Sequence, residues 1–189
     1  MENLKLIRPN KEYERQAKEY IQEFIDYKSE VNGSGGLNRY VDNYDLWLER
    51  NEMYRKGLIP DRVPAETFML IREDDNKLIG MINIRLKLDE ELLIHGGHIG
   101  YGIRPTERRK GYNSYQLYLA LKFCDEQGLD KVLLTCYKDN LGSAKTIQNS
   151  CGVLENEIVY KDKVFQRYWI DVKEALEKGS KKYEKKKVK

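Results

Sequence analysis

A mixed α+β fold, one sheet with helices on its faces in the order βααβββαβαββ, is what this sequence predicts. Three observations predict it. Apolar runs of strand length alternate with stretches whose apolar residues recur at helical spacing. Three consecutive strand segments sit between a pair of early helices and a helix–strand–helix passage. No internal repeat and no linker divides the 189 residues, so one domain with a sizeable core is expected over residues 1–173. Residues 174–189 are expected to form a basic, flexible C-terminal tail.

Each element has a local reason. "NLKLIRP" reads as a first strand stopped by Pro9. Asn10 can cap the helix that follows, Tyr13 to Lys28, with Tyr13, Ala17, Tyr20, Ile21, Phe24 and Ile25 on its apolar face. "NGSGG", Asn32 to Gly36, is expected to be a flexible loop. Tyr40 to Lys56 gives a second helix carrying Tyr44, Leu46, Trp47, Leu48 and Tyr54. "ETFMLIRE" and "KLIGMINIRLK" flank the turn residues "DDNK" and form a hairpin. "ELLIHGGHIGYGIRP" is a third antiparallel strand closed by Pro105. The next helix, Tyr112 to Glu126, places Leu117, Ala120, Leu121 and Cys124 on one face and stops at Gly128. "KVLLTCY" is an apolar run of the kind buried on both faces. "KDN" then caps a helix from Leu141 to Ser150, and "GVLENEIVY" with "VFQRYWIDV" makes a closing hairpin.

Composition removes several classes of function. Charged residues make up 34% and hydrophobic ones 40%, a soluble globular balance. No apolar run approaches the roughly 18 residues of a membrane span, and "MENLKLIRPN" lacks the architecture of a signal peptide. A cytoplasmic protein with no membrane partner is expected. Cys124, Cys136 and Cys151 are odd in number and unpaired in spacing, which fits reduced thiols acting as small hydrophobes. Of the net charge of +3, Lys178 to Lys189 carry +6, leaving the rest of the chain at −3. That terminus lacks interleaved aromatic platforms, so no specific nucleic-acid binding is expected of it.

The most informative stretch is Arg108-Arg109-Lys110-Gly111-Tyr112-Asn113, between a strand and a helix. Cations at a helix N-terminus oppose the macrodipole. The cost is offset if an anion sits there: free N–H groups point outward, Gly111 permits close approach, and the basic side chains add charge. A surface basic loop with a turn glycine explains the six residues equally well. Neither a P-loop nor a G-x-G-x-x-G after the first strand is present.

This turn resembles the R/Q-x-x-G-x-G/A pyrophosphate motif of the GNAT N-acetyltransferases. "GYGIRPTERRKGY", "KVLLTC" and "DNLGSAKTIQNSCG" match that family in context and order from about Asn3 to Val172, most like its RimJ/RimL-like or predicted-acetyltransferase branch. The resemblance implies a GNAT-like acyl-CoA N-acyltransferase fold and acetyl-CoA as cosubstrate, without a metal. Acetyl-CoA would lie in a notch where the strand ending near Ile103 splays from Lys131 to Tyr137. Backbone groups of Tyr101, Gly102 and Ile103 would pair with pantetheine, one N–H polarising the thioester. Arg108 and the segment Arg109, Lys110, Gly111, Tyr112, Asn113 and Ser114 would hold the pyrophosphate. Asn140 matches the family asparagine on the cofactor arm, and Ser143 a motif serine near the thiol. Three positions depart from the pattern: Asn113 for a small residue, Ile147 for the usual tyrosine acid, and Cys151 for a glycine.

Direct transfer needs a neutral amine, and a lysine-like amine is only about one part in 10³ deprotonated near pH 7. His95 and His98, three apart on a strand, face opposite ways, which argues against a shared metal. His98, just before the thioester-facing segment, is the candidate base, with Glu107 and Glu66 behind it. Ser143 and Tyr137 are the candidate acids. A hydrogen-bonded strand histidine and a packed aromatic are the plainer readings of His98 and Tyr137. The tyrosines Tyr13, Tyr20, Tyr27, Tyr40, Tyr44 and Tyr54 with Trp47 would lie on the acceptor side, as core or as pocket lining. The expected activity is acetyl transfer from acetyl-CoA to a primary amine of a small molecule or peptide. The alternative is a non-catalytic CoA-binding or interaction module. The resemblance also implies a possible homodimer.

Overall fold

The apolar runs pair as two antiparallel sheets in the computed structural model, which describes residues 3–184. Strand β1 (Leu4–Ile7) is followed by helices α1 (Glu14–Asp26) and α2 (Tyr44–Arg55), then by β2 (Ala65–Arg72), β3 (Lys77–Arg85) and β4 (Ile99–Ile103). Next come α3 (Tyr112–Glu126), β5 (Lys131–Tyr137), α4 (Leu141–Asn149), β6 (Val153–Tyr160), β7 (Lys163–Asp171) and α5 (Val172–Tyr183). The order is the expected one with a helix added at the end.

The first sheet runs β1-β2-β3-β4 and the second β5-β7-β6. One continuous sheet was the expectation. The backbones of the two sheets join at the start of β4, where the His98 N–H donates to Leu133 O at 2.7 Å and the Leu133 N–H donates to His98 Nδ1 at 2.9 Å. Beyond that junction β4 pairs with β3 alone, from Ile99↔Ile84 to Ile103↔Gly80. Periodicity marks strands but carries no information on where two neighbours part.

Two cores lie on opposite faces of the first sheet. Leu117, Ala120, Leu121 and Cys124 of α3 meet Ile82, Ile84, Val132 and Leu134 on one side. Tyr20, Phe24, Tyr44 and Trp47 of α1 and α2 cover Met69, Ile71 and Met81 on the other. Ile25, expected on the inner face of α1, is 60% exposed. Helix α2 begins at Tyr44, four residues later than expected, because the Asn43 side chain accepts from the Leu46 N–H and caps it there.

Three further expectations change. The segment Asn32 to Gly36 is not a flexible loop. The Trp47 Nε1–H donates to the carbonyls of Ser34 and Gly35, and Ser34 and Leu37 are buried. Gly33, at φ +73°, lies so close to β4 that a Cβ would stand 2.6 Å from Tyr101 Cα. The third strand is shorter than predicted, because Leu92–Gly96 form a π-helical turn whose entry Asp89 caps at the Leu92 N–H. The basic segment from residue 174 is helical through Tyr183. Asp171 caps α5, Ala175 and Gly179 bury against α3, and a Cβ on Gly179 would run into the Tyr118 ring. Lys185 to Lys189 lie outside the described residues.

Candidate active site

The notch opens between β4 and β5 beyond the His98–Leu133 junction, with the N-termini of α3 and α4 above it. Hydrogen bonding along an antiparallel ladder alternates. The Arg85 N–H donates to His98 O and the Arg104 N–H to Ile79 O, so the even-numbered positions face β3. Tyr101 and Ile103 therefore turn their backbone groups to the open edge, and Gly102 does not. Ile103 O is already engaged by Arg108 Nε at 3.1 Å. Of the three positions read from sequence, Tyr101 is the one with both backbone groups open to the notch.

The basic turn leaves the start of α3 open. Gly111 is the N-cap residue of α3 in the left-handed region, φ +84°, and no side chain caps that helix. A Cβ at Gly111 would meet nothing within 4 Å, so the space over the helix end is open. Arg109 is also left-handed, φ +64°. Arg109 is exposed and has no ion-pair partner among the described residues. Lys110 instead pairs with Glu107 at 2.7 Å. Arg108 reaches away to Ser29 Oγ at 2.8 Å and over the Phe24 ring. Tyr112 is buried, its hydroxyl bonded by Arg72, so only its backbone faces the turn. Asn113 points inward: its Nδ2 lies 3.5 Å from Thr146 Oγ1, and its buried Oδ1 has no partner among the described residues. Ser114 is half-buried in the same first turn.

On α4, Asn140 Oδ1 accepts from the Ser143 N–H at 3.1 Å and caps the helix. Ser143 Oγ stands 2.8 Å from the Tyr101 hydroxyl. Burial of that phenol raises its pKa above the ordinary value, so it stays protonated. Tyr101 thus spans the notch from β4 to α4, a connection no sequence spacing announced. Cys136 lies on the same face, and burial pushes its thiol up to about 11 despite a hydrogen bond with Ser143. Cys124 is likewise a buried thiol. Ile147, where a tyrosine acid would stand, is fully buried against Gly152.

The structure places each candidate base against a partner. His98 is buried, and its Nδ1 accepts from the Leu133 N–H. Burial and the nearby Arg85 hold its pKa down to about 4. Near neutral pH the ring is therefore uncharged with its one hydrogen on Nε2, and its lone pair is spent on the backbone. His98 clasps the two sheets through these bonds. Glu66 is held by Arg8, and Glu107 by Lys77 and Lys110, which bring the Glu107 carboxyl down to about 2. Tyr137 packs on Phe165 under Lys163, on the strand face opposite Cys136 and Ser143. His95 stacks on Tyr160 at 4.0 Å.

A second concavity, of about 410 Å³, lies on the α1–α2 side of β4. Asn32 to Gly36, Tyr40, Tyr54, Asn83 and Arg85 contribute to its wall. Of the aromatic residues expected on this side, Tyr40 and Tyr54 reach the pocket, whereas Tyr13, Tyr20, Tyr44 and Trp47 are core and Tyr27 is exposed. Arg85 gave no sequence signal beyond a charge at a strand end.

Residues 12–153 match the Acetyltransferase (GNAT) family. The chain belongs to that family, and it is an acyl-CoA-dependent N-acetyltransferase. No curated protein sequence matches it. Among solved structures it is similar to Mycobacterium smegmatis RimJ in complex with CoA-disulfide, with 12% identity, TM-score 0.69, and 93% of this chain and 87% of that one covered. The ribosomal L7/L12 alpha-N-protein acetyltransferase RimL in complex with coenzyme A gives 15% identity, TM-score 0.64, and coverage of 89% and 95%. A chimera of the spermidine N-acetyltransferase SpeG from Vibrio cholerae and hSSAT gives 19%, 0.59, and 92% and 98%. Among the described residues no helix is long and apolar enough to cross a membrane.

Proposed function

We propose that the protein transfers the acetyl group of acetyl-CoA directly to a primary amine of a small molecule or peptide, in the notch between β4 and β5. The observation that carries this reading is the joint opening of three donors on that notch: the uncapped N-terminus of α3 at Gly111, the Tyr101 backbone edge, and Ser143 at the first turn of α4. The residues fit the cosubstrate. The space over Gly111 is open, and among the described residues Arg109 has no ion-pair partner and the buried Asn113 Oδ1 no hydrogen-bond partner.

Bound acetyl-CoA supplies an acetyl group activated as a thioester. The backbone amides from Arg109 to Ser114 and the Arg109 guanidinium hold its pyrophosphate. The Nδ2–H of Asn140 remains available to the cofactor arm, since only Oδ1 is used in capping. The Tyr101 N–H, fixed at an open strand edge, offers a dipole to the carbonyl oxygen that gains charge. The Ser143 hydroxyl, held by the Tyr101 hydroxyl, is placed to give its proton to the leaving sulfur and to recover one from the attacking amine, so that amide and free thiol form with no net change on the protein. RimL is a ribosomal L7/L12 alpha-N-protein acetyltransferase and SpeG a spermidine N-acetyltransferase; both support an amine acceptor here.

Thermal unfolding with and without acetyl-CoA tests the site. At 100 times Kd, a ligand of the folded state adds about 2.7 kcal/mol, or roughly 5–11 °C at this size. Release of free thiol in the presence of an amine panel tests transfer. A shift with no thiol release would favour the non-catalytic module, and no shift at millimolar acetyl-CoA would sink both readings.

A further inference from the structure

The chain has twelve arginines, and their partners divide them. Arg8, Arg15, Arg55, Arg72, Arg104 and Arg167 each form an ion pair with Glu or Asp. The other six have no carboxylate within ion-pair distance among the described residues. Two of these, Arg108 and Arg109, belong to the basic turn. The remaining four, Arg39, Arg50, Arg62 and Arg85, all line the 410 Å³ pocket on the α1–α2 side of β4.

Such a concentration is costly unless something answers it. Like charges converging on one concavity repel, and a buried cation without a counter-ion loses hydration that nothing replaces. Arg85 is the deepest. Its Nη1 donates to the carbonyls of Gly96 and Gly97 at 3.2 and 3.1 Å, and the guanidinium lies beside Gly100 of β4. Burial lowers its pKa, and Asp89 opposes that only through space. Arg50 is held over the rings of Tyr40 and Tyr54, at 5.6 and 5.9 Å, so its guanidinium is oriented before any ligand arrives. Asp89 and Glu91 also line the pocket, both exposed, so four cations face two carboxylates. Neither carboxylate ion-pairs with any of the four among the described residues.

The pocket also touches the reaction. Its Asn32–Gly36 wall lies on Gly100 to Gly102, and Arg85 sits beside Gly100, one residue before the Tyr101 edge. We infer that this pocket receives the acceptor and that the acceptor is an amine carrying a second, anionic group, a carboxylate or a phosphate, bound by Arg85 and Arg50 with Arg39 and Arg62 at the rim. The inference rests on the acetyl transfer proposed above and narrows its substrate class. A planar guanidinium fork suits both anions, and the two are separated by experiment.

Paired acceptors isolate the anion: tyramine against tyrosine, and ethanolamine against O-phosphoethanolamine. Turnover is measured by thiol release and binding by calorimetry, the latter in protein saturated with coenzyme A so that the basic turn is filled. The anionic member of at least one pair is expected to show kcat/KM, or affinity, at least tenfold above its neutral partner. The pair that responds identifies carboxylate or phosphate. In Arg50→Gln that preference falls toward unity while the acetyl-CoA thermal shift persists. Arg85→Lys, which keeps a charge but loses the fork, gives a second reading if removal of Arg85 unfolds the junction. Equal or better use of the neutral amines, or an undiminished preference in Arg50→Gln, overturns the anionic acceptor and leaves acetyl transfer standing. Absence of any acetyl-CoA shift is the separate failure of the transfer reading itself.

Discussion

His98 shows how a residue's chemistry is set by what its lone pair is doing. As an exposed imidazole it would titrate near 6.5 and serve as a base; in the junction its Nδ1 is committed to Leu133. Its folded pKa, about 4, lies below the unfolded value. The unfolded chain therefore binds the extra proton between those values, and stability rises with pH across that window and is lost as pH falls from about 6.5 to about 4. At about 1.36 kcal/mol per pH unit the loss approaches 3 kcal/mol. His98→Leu leaves the Leu133 N–H unpaired and is expected to cost about 2 kcal/mol at pH 7 in urea unfolding. That variant should also lack the wild-type loss between pH 6.5 and 4.5, and keep the shape of the pH–rate profile between pH 6 and 9. A vanished limb in that profile would return the imidazole to the chemistry. Ile147 teaches the converse: the family's acid position is core here, and a tyrosine there would overpack against Gly152.

Helix α3 carries the proposed anion site at one end and packing along its length, and the two can be separated. Gly111→Ala introduces a Cβ with no neighbour within 4 Å, so its cost is the left-handed backbone alone, about 1 kcal/mol. Gly111→Trp adds bulk over the helix end. The alanine variant is expected to keep most of the acetyl-CoA thermal shift and the tryptophan variant to lose it. Equal shifts in both would move the cosubstrate away from this turn. Helix α4 shares the logic, since Asn140 both caps the helix and presents Nδ2.

At the scale of the molecule, α5 closes the core that α3 leaves open. Tyr183 meets Tyr115 and Tyr118 at ring distances of 5.0 Å, and Tyr118 donates to Glu184. Removing residues 174–189 exposes Tyr118 and Leu121. Loss of about 2–3 kcal/mol, or roughly 5–10 °C in Tm, is expected, with the acetyl-CoA shift retained because α5 packs on the body of α3 and not on its N-terminus. An unchanged Tm would restore the flexible tail.

The sequence by itself determined the order of elements from β1 to β7 and the family, and it marked the turn at Gly111, because those depend on local spacing: periodicity 2 or 3.6, a glycine before an apolar helix, an asparagine at a cap. The tertiary structure alone decided what depends on residues far apart in the chain. It parted the sheet at His98 and Leu133, drew Lys110 and Arg108 away from the turn that names them, and joined Tyr101 to Ser143 across 42 positions. It also gathered Arg39, Arg50, Arg62 and Arg85 into one pocket. A charge's role is fixed by whether a counter-charge lies within a few ångströms, and only the folded chain sets that distance.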